Sequence, residues 1–260
     1  MKLTVRANEY RNENNPGLAG FASLNFDDKY VLEQVAIYQK KSGDYYIKLP
    51  SISVKIKDEN GNFIEGPDGN YKKGSKEIFH PSSVDARNML TAEIVHAIRD
   101  NPGEKCVNNN FMGDFVPNTS RIYPSTNERN NNQVGFGSVS FGDFVLENVS
   151  LNKMKDSDDY AVSSTSRQTK VKDKETGEWK SGYSEYFHAI TTEAYNELKE
   201  EVVASYNANL ANGKGKTAVD SKSAEQSASV SPDAFDVGEL DMTDFEDVLD
   251  VTEQNKGTSR

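Results

Sequence analysis

The chain has 260 residues and a formal net charge of −11, long enough for two domains and too acidic to attract nucleic acid as a whole. No apolar run approaches a transmembrane span, and the start, Met1-Lys2-Leu3-Thr4-Val5, lacks a signal-peptide core. One cysteine, Cys106, and three scattered histidines, His80, His96 and His188, argue against disulfides and a structural zinc site. No metal or cofactor is therefore expected, and the expected compartment is the reducing cytoplasm.

The first strand signal is Gly20 to Phe26, where Ala22, Leu24 and Phe26 alternate with Phe21, Ser23 and Asn25. Asp27-Asp28 reads as a tight hairpin turn into a second run, Asp28 to Val35. A third strand is expected over Tyr45 to Leu49, then a Gly- and Lys-rich excursion, then a fourth strand at Glu77–Phe79. Ser83 reads as a helix N-cap with Asp85 in the favourable first turn. Ala86, Leu90, Ile94 and Ile98 then supply an apolar stripe, and Asn101-Pro102-Gly103 ends it.

After residues 101–118, which show little periodicity and read as a linker, the chain repeats itself. Gly135 to Phe141 repeats Gly20 to Phe26, and Asp143 to Val149 repeats Asp28 to Val35. Gly142-Asp143 is the second turn and Tyr160 to Val162 the third strand. Ser184 to Ala189 repeats Lys76 to Pro81 as the fourth. Thr191 is the second N-cap, ahead of Ala194, Leu198, Val202 and Tyr206. A repeat of about 90 residues in unbroken order is a tandem of like domains, too long for a solenoid unit. The fold class is α+β: two similar domains, each an antiparallel sheet with one C-terminal helix. The domains are 1–100 and 119–212, joined by the 101–118 linker.

From residue 213 the composition turns to Lys, Ser, Ala and Gly, then to nine acids between Asp233 and Glu253 without a base. So few apolar groups cannot offset the entropy of ordering, which predicts a disordered acidic tail over 213–260. Phe235, Leu240, Phe245 and Leu249 stud it as anchors for a protein partner. It resembles in composition the acidic, Phe-containing tails of single-stranded DNA-binding proteins, which recruit partners or occupy their own binding groove. A tail that only keeps the chain in solution is the alternative.

The excursion before each fourth strand is the best binding candidate. In the first copy it holds Lys55, Lys57, Lys72 and Lys73, balanced by nearby acids; in the second, Arg167, Lys170, Lys172 and Lys174 meet few. Phosphate contacts need only positive groups on a reachable loop. Tyr71, Trp179 and Tyr183, in polar Gly-containing surroundings, are candidates for stacking unpaired bases. The competing reading is a pair of solvated hairpins. His80 and His188 have no neighbours of a catalytic triad and read as strand-to-helix ties. Gly213-Lys214-Gly215-Lys216-Thr217 imitates a phosphate loop but lacks its upstream glycine. No enzyme is indicated.

Gly20 to Val35, Leu49-Pro50-Ser51, Glu77-Ile78-Phe79-His80-Pro81 and Arg87 resemble the SpoVG (stage V sporulation protein G) family of bacterial regulators. The second copy resembles it more loosely, through Gly135 to Val149 and Glu185-Tyr186-Phe187-His188; Ala189 stands in place of the family's Pro and Tyr195 in place of its Arg. The resemblance implies a small α+β domain that dimerises through its sheet and binds DNA and RNA. Its basic residues lie in the loop before the last strand and around the helix, which adds Arg87 to the candidates. The expected function is non-enzymatic binding of single-stranded DNA or RNA by a pseudo-dimer, side by side or swapped, or by a homo-oligomer. The alternative is a protein–protein adaptor.

Overall fold

The computed structural model describes residues 1–125, 132–155, 157–172 and 177–213. In the first copy, β1 (Leu3–Glu9), β2 (Leu18–Phe26), β3 (Tyr30–Gln39) and β4 (Tyr45–Lys48) form an antiparallel sheet. A hairpin of β5 (Ser51–Lys55) and β6 (Lys73–Glu77) follows, then β7 (Phe79–Pro81) and α1 (Val84–Asp100). The second copy repeats this with β9 (Pro117–Pro124), β10 (Gln133–Phe141), β11 (Phe144–Lys153) and β12 (Tyr160–Ser163). Its hairpin is β13 (Ser166–Lys172) and β14 (Trp179–Glu185), followed by β15 (Phe187–Ala189) and α2 (Thr192–Ala211). Residues 166–184 are a body of their own; the rest of both copies forms one compact unit.

Alternation sets each sheet. Leu3, Val5 and Ala7 are buried, as are Ala22, Leu24 and Phe26, while the residues between them face outward. Asp27 and Asp28 both adopt left-handed backbone (φ 52° and 53°), the twist that a tight hairpin requires. Gly142 makes the equivalent turn at φ 58°, and a Cβ there would stand 2.6 Å from the Asp114 carbonyl oxygen.

The copies are swapped. β7, from the first copy, pairs with β11 of the second through Phe79–Leu146 and Pro81–Phe144. β15, from the second, pairs with β3 of the first through Phe187–Leu32 and Ala189–Tyr30. A bulge prepares each site. Glu33-Gln34 both lie opposite Ser23, and Glu147-Asn148 both lie opposite Ser138, because the flanking pairs skip a residue. Gln34 (φ 64°) and Asn148 (φ 58°) carry the kink. The freed N–H of Glu33 donates to the Tyr186 carbonyl at 2.8 Å, and that of Glu147 to Ile78 at 2.8 Å.

Exchange merges the interiors into one core. Phe26, Tyr30 and Phe79 meet their repeats Phe141, Phe144 and Phe187, all essentially without exposure. Phe79 stacks on Phe187 at 5.4 Å and on Phe144 at 5.4 Å, while Tyr30 stacks on Phe187 at 5.6 Å. The stretch after α1 contributes more than a connection. Lys105–Asn108 forms β8 on the edge of β1, Phe111 is buried, and the Phe115 ring stacks on Phe26 at 4.3 Å. Both helices use the stripes read from sequence, and the Ser83 and Thr191 hydroxyls cap them by accepting the Ala86 and Ala194 N–H groups.

Candidate nucleic-acid interface

The β5–β6 hairpin is extended by the chain between its strands. Lys57 bridges to Phe63 and Glu65 to Tyr71, while backbone bonds join residues 56, 64 and 72. Directly opposed residues share a face, so Lys55, Lys57, Phe63, Tyr71 and Lys73 line one side, together with Glu65. The Phe63 and Tyr71 rings lie 5.5 Å apart and are 46% and 39% exposed. Lys55 Nζ sits 4.0 Å from the Tyr71 centroid and Lys57 Nζ 5.1 Å from that of Phe63. Cations and rings thus alternate on one accessible strip, an arrangement able to take a base on a ring and a phosphate on an ammonium.

The nearby acids are partly occupied. Asp58 accepts the Asn60 and Asn62 N–H groups, closing a turn. Asp68 accepts hydrogen bonds from the Asn70 side chain and backbone, which hold its carboxyl below the usual range. Phe63, which the sequence reading passed over, belongs to the strip; its signal was the register that sets it beside Tyr71. Lys72 is exposed on the opposite face.

Arg87 does not join this strip. Its guanidinium forks onto Glu77, Nη1 to Oε1 at 3.0 Å and Nη2 to Oε2 at 2.5 Å, and this pairing raises its pKa. In the second copy Glu185 instead accepts the Ser164 N–H, and burial pushes its carboxyl up. Tyr195 turns its hydroxyl to the Val162 N–H.

The β13–β14 hairpin sorts its candidates differently. The Gln168 side chain donates to Ser181 Oγ at 2.6 Å, which places these two on one face. Alternation then sets Lys170, Trp179 and Tyr183 on that face and Arg167 on the other. Trp179 is 51% and Tyr183 76% exposed. Arg167 is half-buried, and its Nε has no hydrogen-bond partner. Lys172 lies at the end of β13. Lys174 and the tail residues Phe235, Leu240, Phe245 and Leu249 lie outside the described residues.

His80 clasps the exchanged strand. Its Nε2 stands 3.6 Å from Glu147 Oε1, and Lys76 Nζ stands 3.4 Å from Glu147 Oε2. The hydrogen bond to Glu147 raises the His80 pKa against its burial, and His80 in turn lowers that of Glu147. Among the described residues no cluster of His, Cys, Asp and Glu is suited to a metal ion. No described helix is long and apolar enough to cross a membrane.

The SpoVG family model matches residues 1–100, ending where α1 ends, and the first copy is SpoVG-like. No curated protein and no solved structure matches the chain.

Proposed function

We propose that this chain, a SpoVG-like domain fused to a second copy of its own fold, is a non-enzymatic protein that binds single-stranded DNA or RNA through its two hairpins. The observation that carries this reading is the strip on which Lys55 and Lys57 lie over the exposed Phe63 and Tyr71 rings. Base stacking contributes roughly 1–3 kcal/mol per base and needs little net charge, which suits a chain at −11 better than duplex binding does. The exchange of β7 and β15 joins the two copies within one chain, and each copy carries a hairpin of its own.

The acidic tail fits as a competitor for the same lysines or as a docking element for a protein. A segment tethered by about twenty residues stands at roughly millimolar effective concentration near its own body.

Gel shifts with labelled single- and double-stranded oligonucleotides at two salt concentrations test the reading. Single strands should bind more tightly than duplex. Phe63→Ala with Tyr71→Ala should weaken them by about 1–3 kcal/mol per lost base contact. Changing Arg167, Lys170, Lys172 and Lys174 to Ala should flatten the salt slope for single strands by about 0.7 per lost phosphate contact. Truncation after Asn212 should raise affinity at low salt. Absence of binding to either form would favour the adaptor reading.

A further inference from the structure

The outward faces of the two sheets carry a constellation that the duplication has kept. Thr4 and Arg6 on β1 recur as Thr119 and Arg121 on β9; Phe21 and Ser23 on β2 recur as Phe136 and Ser138 on β10. Cross-strand pairing places them alike: Arg6 opposite Ser23, and Arg121 opposite Ser138. Inward positions changed more. Val5, Ala7 and Leu24 are matched by Ser120, Ile122 and Val139. Core positions are ordinarily fixed by packing and solvated ones free to drift. Here the solvated side is the better preserved.

A shared structural role does not account for the arginines. Arg6 Nε reaches the Gly103 carbonyl at 3.3 Å, in the turn ahead of β8, an element with no counterpart among the described residues of the second copy. Arg121 is exposed, and its side chain makes no hydrogen bond or ion pair among the described residues. Each arginine lies beside an aromatic pair. Tyr10 and Phe21 stand 5.7 Å apart in the first copy, and Tyr123, 46% exposed, lies directly opposite Phe136 in the second. Lys105, paired with Arg6, adds a second cation to the first face. The acids at the bulges are Glu33 and Glu147, and Glu147 is engaged by His80 and Lys76. Both helices pack on the inward sides, through residues of the common core.

We infer that each sheet's outer face is a binding face for a single strand, equivalent in the two copies. Arg6 and Arg121 take phosphates, Tyr10–Phe21 and Tyr123–Phe136 take bases, and the serine and threonine hydroxyls lie between them. The occupant follows from the face: cations for a polyanion and rings for unpaired bases. This inference rests on the single-strand reading and adds surfaces distinct from the hairpins.

The test uses the full chain and a fluorescent oligothymidylate. Arg6→Ala with Arg121→Ala should weaken binding about tenfold or more and flatten the salt slope by about 0.7 per arginine. Each single variant should give about half the slope change. Arg→Lys at both sites should restore most of the slope, and Lys41→Ala, an equal charge loss in the β3–β4 turn, should change little. Photo-crosslinking to a 5-bromouracil strand should label Phe21, Tyr123 or Phe136. Unchanged affinity and slope in the double variant, with adducts confined to the hairpins, overturns this inference while leaving the single-strand reading intact. Failure of the unaltered chain to bind any single strand overturns both.

Discussion

The first copy closes the outer edge of its sheet with another strand, and the second closes its edge with a helix. β8 pairs along β1 from Leu3 to Arg6. β9, the counterpart of β1, is covered by α2. Ser205 Oγ accepts the Ile122 N–H at 3.1 Å and donates to the Ser120 carbonyl at 2.9 Å, and Asn209 donates to the Ile122 carbonyl at 3.0 Å. The Ser120 hydroxyl reaches Glu201. An open edge strand invites pairing with other chains, so both copies remove it by different chemistry. The lesson is which parts of the module were free to change. Edges, the Arg87–Glu77 fork and the hairpin contents differ, while the bulge, the exchanged strand and the aromatic cluster are common to both.

If the exchanged strands are equivalent, Phe79→Ala and Phe187→Ala should each cost about 3–5 kcal/mol, the range for emptying an aromatic site in a tight core. Chemical denaturation with a shared slope checks this, and a large inequality would make one exchange dispensable. Next comes the edge. Ser205→Ala leaves the part-buried Ile122 N–H without its acceptor and should cost about 1–3 kcal/mol; the equivalent position of the first copy is already alanine, Ala97.

The clasp gives a pH dependence of known sign. The His80 pKa is raised, so its contribution is fully present below the ordinary histidine value of about 6.5 and is lost as pH rises through the raised folded value. Glu147 is depressed, so its share is present above the ordinary carboxylate range and is lost as pH falls through its folded value. Glu147→Gln should therefore bring the His80 titration, followed by NMR, down toward 6.5 and remove stability near pH 5–6 more than near pH 8. A smaller effect is expected at the caps. Ser83→Ala and Thr191→Ala should cost about 1 kcal/mol each and nearly equally, since both hydroxyls accept at 3.1 Å.

Repeats, turns, caps and helical stripes were legible because each is a local pattern. Ser83 and Thr191 cap where the spacing puts them, and Asp27-Asp28 turns as its dipeptide predicts. β1 precedes the first strand expected from the sequence, although Leu3, Val5 and Ala7 alternate there; its repeat β9 buries only Ile122, so the duplication gave no second signal. Phe111 and Phe115 lie in an aperiodic stretch, and nothing local says that they reach the core. Which sheet β7 and β15 would join was not legible, because strand pairing is a long-range choice. Arg87 looked available in sequence; its partner Glu77 lies on a strand ten residues earlier. The Thr-x-Arg recurrence at residues 4–6 and 119–121 was present in the sequence, and it gained meaning only once the register turned both arginines outward.

The most direct test of the shared core makes a change in one copy and reads it in the other. Hydrogen exchange of the full chain carrying Phe187→Ala, resolved by peptide, reports the opening of β3 and β11 separately. A single core predicts that protection of Leu32 to Ile37 in the first copy falls together with that of Leu146 to Leu151 in the second, and to the same extent. Full protection retained in one copy while the other opens would contradict it.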